Sequence, residues 1–272
     1  MNAFTRFYKS NLPGPLTEAF TWFQLNLAPA KFFRQRKAIL RQAGSPQSVI
    51  GGPFQGMVYA RHAADKCLLP RLFGTYECEL HKAIEELCES CPDVAVVAGS
   101  GEGYYAVGLA RRISNAKVFA YDGFRWARYL LRQMAARNGV LNRVQIGGLL
   151  TPPELERVLV NAKNPAFICD VEGYENELLD FRSVPSLART AILLELHEHA
   201  VLGLTEEICR RFRLTHHLEF IHQRPRTLSD LPPGMALKES DARWAMDEML
   251  FRTVEQTWLY LTPICASAPG NQ

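Results

Sequence analysis

From residue 77 onward the chain switches repeatedly between two hydrophobic periods. "ECELHKAIEELCE" carries apolar residues at helical spacing, and "VAVVAG" is a short, almost unbroken apolar run that predicts a strand. The exchange then repeats. "GYYAVGLARRI" predicts a helix, "AKVFAYD" a strand, and "RWARYLLRQMAARNG" a helix that stops at its glycine. "RVQIGG", the helix "PPELERVLVNA", the strand "AFICD" and "TAILLELH" continue the series. Short apolar strands separated by helices become parallel neighbours, because parallel strands are joined only by a long crossover, and the crossover helices cover both faces of the sheet. After "TEEICRRF", the apolar stretches "HHLEFIHQ" and "TWLYLTP" read as two last strands, open to an antiparallel arrangement. The expected architecture is α/β, with seven mostly parallel strands.

Residues 1–50 are expected to form a helical N-terminal extension, and residues 51–272 the main domain. Leu16, Phe20, Phe23 and Leu27 recur at helical spacing, and "KFFRQRKAILRQ" interleaves apolar with basic residues, so two amphipathic helices are expected there. Packing on the main domain or on a partner subunit is the first reading. Contact with an anionic membrane surface is the second, since basic and aromatic residues occur together. "AGSPQSVIGGPFQG" reads as a connection.

Charge sharpens this division. The chain carries a net +3, but residues 1–50 hold seven Lys or Arg against Glu18 alone, which leaves the remainder mildly acidic. A protein-wide nucleic-acid surface is therefore not expected. No apolar run approaches the roughly 20 residues of a membrane-spanning helix, and no apolar signal core precedes a cleavage site, so the expectation is a cytoplasmic protein. The seven cysteines are odd in number and scattered, which predicts reduced thiols. Cys88 and Cys91 form a CxxC without a second ligand pair, so no zinc site is expected.

The chemistry starts at Gly99, Gly101 and Gly103, which follow the first strand and open the next helix. Glycines there let the backbone turn tightly and approach a ligand closely, which implies a nucleotide-containing cofactor. The dinucleotide fingerprint would place its third glycine at position 104, which is Tyr104. The spacing is GxGxG, which favours S-adenosylmethionine over NAD. Asp122 ends the next strand, about 20 residues on, where a carboxylate accepts hydrogen bonds from ribose hydroxyls.

With these segments in place, the chain resembles the class I S-adenosylmethionine-dependent methyltransferases, and specifically their FkbM-like branch. "LPRLFGTYECEL", "EGYYAVGLARR", "AKVFAYD", "ICDVEGYENELLD" and "AILLELHEH" carry the resemblance, over roughly residues 52–262, with "DVEGYE" its most specific element. It implies a Rossmann-like seven-stranded, mostly parallel sheet with helices on both faces. It also implies roles by position. Gly99, Gly101 and Gly103 lie beneath the methionine and ribose, Asp122 binds the ribose, and Gly147 and Gly148 pass beside the adenine. Asp170 faces the methionine end or the substrate, and Tyr76 and Glu77 cover the pocket. One position departs from the pattern. The acid expected two residues before the first glycine is Val97, leaving Glu102 either to compensate toward the methionine ammonium or to be a solvated turn carboxylate.

Transfer of a methyl group is an in-line displacement, for which the protein aligns the reactants and excludes water. A hydroxyl acceptor must also lose a proton. Asp170 and Glu172 in "CDVEG", and Glu195, His197 and His199 in "LELHEH", end two strands. Alternate residues of an extended strand share a side, so 195, 197 and 199 converge on the crevice. His197 is the preferred general base, with Glu195 or Asp170 fixing its tautomer. A divalent metal held by these groups is a secondary reading, and no metal ligand is assigned. Arg125 lies near enough to Asp122 to approach the cofactor. The expected activity is O-methylation of a sugar, glycan precursor or other small metabolite. Its alternatives are an inactive cofactor-binding or interaction protein and an NAD-dependent oxidoreductase. Homo-oligomerisation or peripheral contact through residues 1–50 is open.

Overall fold

A computed structural model describes residues 30–59, 67–248 and 255–264. Its seven-stranded sheet has the order β3-β2-β1-β4-β5-β7-β6. These strands are β1 Val94–Ala98, β2 Lys117–Tyr121, β3 Val144–Gly147, β4 Pro165–Cys169, β5 Ala191–Glu195, β6 His216–His222 and β7 Thr257–Pro263. The first five pair in parallel, whereas β7 inserts between β5 and β6 and runs antiparallel to both. The two late apolar stretches are thus neighbouring strands, with only the final one reversed.

Alternation along the strands sorts side chains onto two faces. Ala95 and Val97 of β1 join one apolar cluster with the helices α1 Ala30–Gln42, α2 Leu68–Phe73, α3 His81–Glu89, α4 Tyr104–Arg112 and α5 Arg125–Arg137. Val96 and Ala98 point the other way, into a cluster with α6 Pro152–Leu159, α7 Glu175–Leu178 and α8 Leu204–Phe212. Val97, at the position where an acid was expected, is 2% exposed. It is part of the hydrophobic layer beneath α3 and α4.

Of the two expected N-terminal helices, the one containing Leu16 to Leu27 lies outside the described residues. The other is α1. Its Ile39 is fully buried, its Phe32 ring lies 5.1 Å from Trp244 of α9 Glu239–Met246, and Gln42 donates to Asp241 at 3.0 Å. This face of the helix packs on the main body. The following connection also contributes to the core, through Val49 and Phe54. Among the described residues no helix is long and apolar enough to cross a membrane.

Candidate active site

Strand β1 is flanked by β2 on one side and β4 on the other, while the chain passes from β1 to β2 and returns from β3 to β4. Such a reversal opens a crevice beyond the carboxyl ends of the strands. The glycine turn lies there. Gly99 adopts φ +73°, and a Cβ on it would stand 1.6 Å from the carbonyl oxygen of Asp170. The turn is therefore pressed against the end of β4, and Asp170 N–H also donates to Ala98 at 3.1 Å. Gly101, at φ +53°, faces open space, with no heavy atom within 4 Å of an added Cβ. That space is a cradle in which a ligand can approach the backbone.

Asp122 closes the cradle on the β2 side. One carboxylate oxygen accepts from Gly101 N–H at 2.8 Å and the other from Phe124 N–H at 2.7 Å. Its backbone carbonyl accepts from Arg128 at 2.6 Å, whereas Arg125, the arginine expected to approach, is exposed. Arg128, one helical turn beyond Arg125, is the arginine that holds the Asp122 carbonyl. Burial pushes the Asp122 carboxyl up to about 6, against the opposing pull of the two N–H groups. Gly147 packs against the Tyr121 ring, and Gly148 borders open space.

Glu102 is neither solvated nor isolated. It is buried, accepts from Tyr59 hydroxyl at 2.6 Å and pairs with Arg71 at 3.0 Å. The solvated-carboxylate alternative is therefore corrected, because the turn folds inward onto α2. Tyr76 and Glu77 are buried as well, just ahead of a 3-10 turn at Cys78–Leu80. Arg71 lies 4.4 Å over the Tyr76 ring, and Glu77 accepts from the Tyr105 hydroxyl.

At the ends of β4 and β5, five side chains gather around one imidazole or form it. His197 is 4% exposed. Its Nδ1 lies 2.6 Å from Glu175 Oε1, an oxygen that also accepts from Gly173 N–H. Its Nε2 faces Asp170 Oδ1 at 3.6 Å, Glu195 Oε1 at 3.7 Å and Glu172 Oε2 at 3.8 Å. Burial pulls the His197 pKa down, but the Glu175 bond and the charges of Asp170 and Glu172 outweigh it and leave the ring more basic than an ordinary histidine. Glu175 carries the reciprocal shift. Its burial raises the carboxyl, and the bonds to His197 and Gly173 bring it below the usual range.

The expected convergence of residues 195 and 197 is present, and His199, although exposed, keeps its ring 5.6 Å from that of His197. Neither Glu195 nor Asp170 holds Nδ1. Glu175 does, a residue inside "DVEGYE" to which no role was assigned. Its signal was there, an acid beginning the short α7 five residues after Asp170, but the contact to residue 197 is formed only by packing. Arg71, within "LPRLFGTYECEL", was missed for the same reason. Glu195 in turn accepts from Gln256, which stands just before β7. Cys88 and Cys91 are free thiols, and burial pushes Cys88 up to about 11.

No family model matches the chain, and no curated protein matches its sequence. Solved structures do. One is an O-methyltransferase of tomaymycin synthesis from Streptomyces achromogenes in complex with S-adenosylmethionine, 11% identical, with a TM-score of 0.45 over 66% of this chain and 78% of that one. An O-methyltransferase from Bacillus cereus in complex with S-adenosylhomocysteine is 11% identical, with a TM-score of 0.43 over 90% and 97% of the two chains. A precorrin 8w decarboxylase from Methanobacterium thermoautotrophicum is 18% identical, with a TM-score of 0.43 over 67% and 90%. The Rossmann-like assignment rests on the strand order of this chain itself.

Proposed function

We propose that the protein is an S-adenosylmethionine-dependent O-methyltransferase acting on a hydroxyl of a sugar, glycan precursor or other small metabolite. The junction at Asp170 carries this reading. Its backbone closes on Gly99 of the cradle, and its carboxylate faces His197, so a nucleoside site and a proton-accepting site adjoin. The open space at Gly101 and the Asp122 carboxylate at its edge support a nucleoside cofactor there.

When bound, S-adenosylmethionine supplies a methyl group made electrophilic by its sulfonium. The backbone at Gly99, Gly101 and Gly103 would support the methionine and ribose portion, Asp122 would accept from ribose hydroxyls, and Gly147 and Gly148 would lie toward the adenine. Tyr76 and Glu77 buttress the turn from behind. In the dyad, Glu175 holds the proton on Nδ1 of His197 and leaves the Nε2 lone pair to take a proton from the acceptor hydroxyl. A Glu–His pair of this kind stabilises the imidazolium that results.

The test is calorimetric titration with S-adenosylhomocysteine, followed by turnover on a panel of hydroxylated acceptors. Micromolar binding with methylated product is expected. His197→Ala should lower turnover by about 10²-fold or more and leave S-adenosylhomocysteine affinity intact. Val97 favours a second reading, a protein of the same fold that binds the cofactor without turnover, because the resembled family carries an acid at this position. Binding without product on any acceptor would select it.

A further inference from the structure

We propose that Asp170, Glu172 and His197, with Glu195 beside them, form a binding site for a single divalent cation of the hard, oxygen-preferring kind, Mn²⁺ or Mg²⁺. One ligand atom from each of the first three lies within 4.8 Å of the others. The His197 Nε2 stands nearly equidistant, at 3.6 to 3.8 Å, from oxygens of three carboxylates. These separations are too long for hydrogen bonds. A small inward movement of the part-exposed Asp170 and Glu172 side chains would bring them to the roughly 3.0 Å that separates neighbouring ligands of an octahedral ion held at about 2.1 Å.

A second observation is independent of the acidic cluster. His197 is nine-tenths buried or more, and its other nitrogen is engaged by Glu175 at 2.6 Å. A carboxylate on the far side of an imidazole fixes the tautomer and aims the remaining lone pair, the arrangement found behind metal-bound histidines. Here the lone pair is aimed at the three carboxylates. Charge agrees with geometry, since four carboxyl groups crowd one imidazole and a divalent ion would relieve the repulsion between them.

The backbone brings the two halves together. Cys169 of β4 is registered against Leu194 of β5, so Asp170 and Glu195 leave adjacent parallel strands side by side. The Asp170 and Glu172 side chains remain 37% and 49% exposed, which leaves the mouth of the site open for waters or an acceptor oxygen. Oxygen-rich donors with one imidazole suit Mn²⁺ or Mg²⁺ better than the thiolate-preferring metals. A bound ion would lower the pKa of an acceptor hydroxyl, the task given above to the bare Nε2 lone pair. That use of the ion rests on the methyl-transfer reading, whereas its binding does not.

The experiment takes the full chain, stripped with chelator and dialysed, and titrates it with Mn²⁺ alone, following free ion by electron paramagnetic resonance. The result expected is saturable binding of one ion per chain, with a Kd below about 1 mM and competition by Mg²⁺. Glu172→Gln, an exposed change compatible with folding, should weaken it about tenfold or more, and the distant Glu239→Gln should not. Absence of saturable binding, or equal binding by Glu172→Gln and wild type, overturns the proposal. S-adenosylhomocysteine titration on the same sample separates the two readings. Ion binding without nucleoside binding sinks methyl transfer and keeps the ion site, and the converse sinks the ion site alone.

Discussion

Gly99 and Gly101 stand two residues apart in one turn, both at positive φ, and nevertheless serve different ends. A Cβ at Gly99 collides with the Asp170 backbone, which cannot yield without parting β1 from β4. Gly99→Ala should therefore cost about 3 kcal/mol or more of stability, read by denaturant unfolding. A Cβ at Gly101 meets nothing in the protein. Gly101→Ala should cost only about 1–2 kcal/mol for its left-handed backbone, yet weaken S-adenosylhomocysteine binding sharply in calorimetry, because the methyl enters the cradle. Asp122 makes the pH prediction. Its carboxyl titrates at about 6 in the folded protein, and it accepts from ribose hydroxyls as the anion. Affinity in metal-free buffer should be full above about pH 7 and fall as pH drops through about 6, at a limiting slope of about tenfold per unit. Asp122→Asn should flatten this profile and weaken binding throughout.

Between elements, the connection from β6 to β7 is fastened by a buried ion cluster. Arg226 reaches Glu79, in the turn before α3, at 2.6 Å, and Glu248, after α9, at 2.9 Å; all three side chains are at most 6% exposed. Glu248 also accepts the backbone N–H of Glu77 at 3.1 Å. Removing the cation would strand two buried carboxylates, so Arg226→Ala should destabilise the fold by about 3–5 kcal/mol, seen as a lowered Tm. Arg226→Lys should recover only part of this, since one ammonium cannot reproduce the guanidinium's planar fork of donors. This cluster supports the segment bearing Tyr76 and Glu77, and through it the wall behind the glycine turn.

For the molecule as a whole, the strand order 3-2-1-4-5-7-6 gathers the turn, Asp122, Asp170 and His197 beyond the carboxyl ends of the central strands. A ligand bound there stabilises the folded chain by mass action. S-adenosylhomocysteine at about 100 times its Kd should raise Tm by about 5 °C or more, and NAD at the same concentration should leave it unchanged. A selective rise with NAD would assign the cradle to hydride transfer instead.

The helix–strand series was legible because its period is local. Each apolar run between residues 94 and 195 became a parallel strand, each amphipathic run a helix, and the GxGxG turn and Asp122 met at 2.8 Å. Other features are long-range and carry no periodic trace. Glu102 turned inward to Arg71 and Tyr59, Arg128 reached the Asp122 carbonyl, and Glu175 rather than Glu195 or Asp170 came to hold His197. Hydrophobic spacing is written along the chain because it follows from backbone geometry, residue by residue. Which polar groups meet depends on crossover packing between distant segments, where burial leaves each charge to find whichever partner the fold has brought within reach.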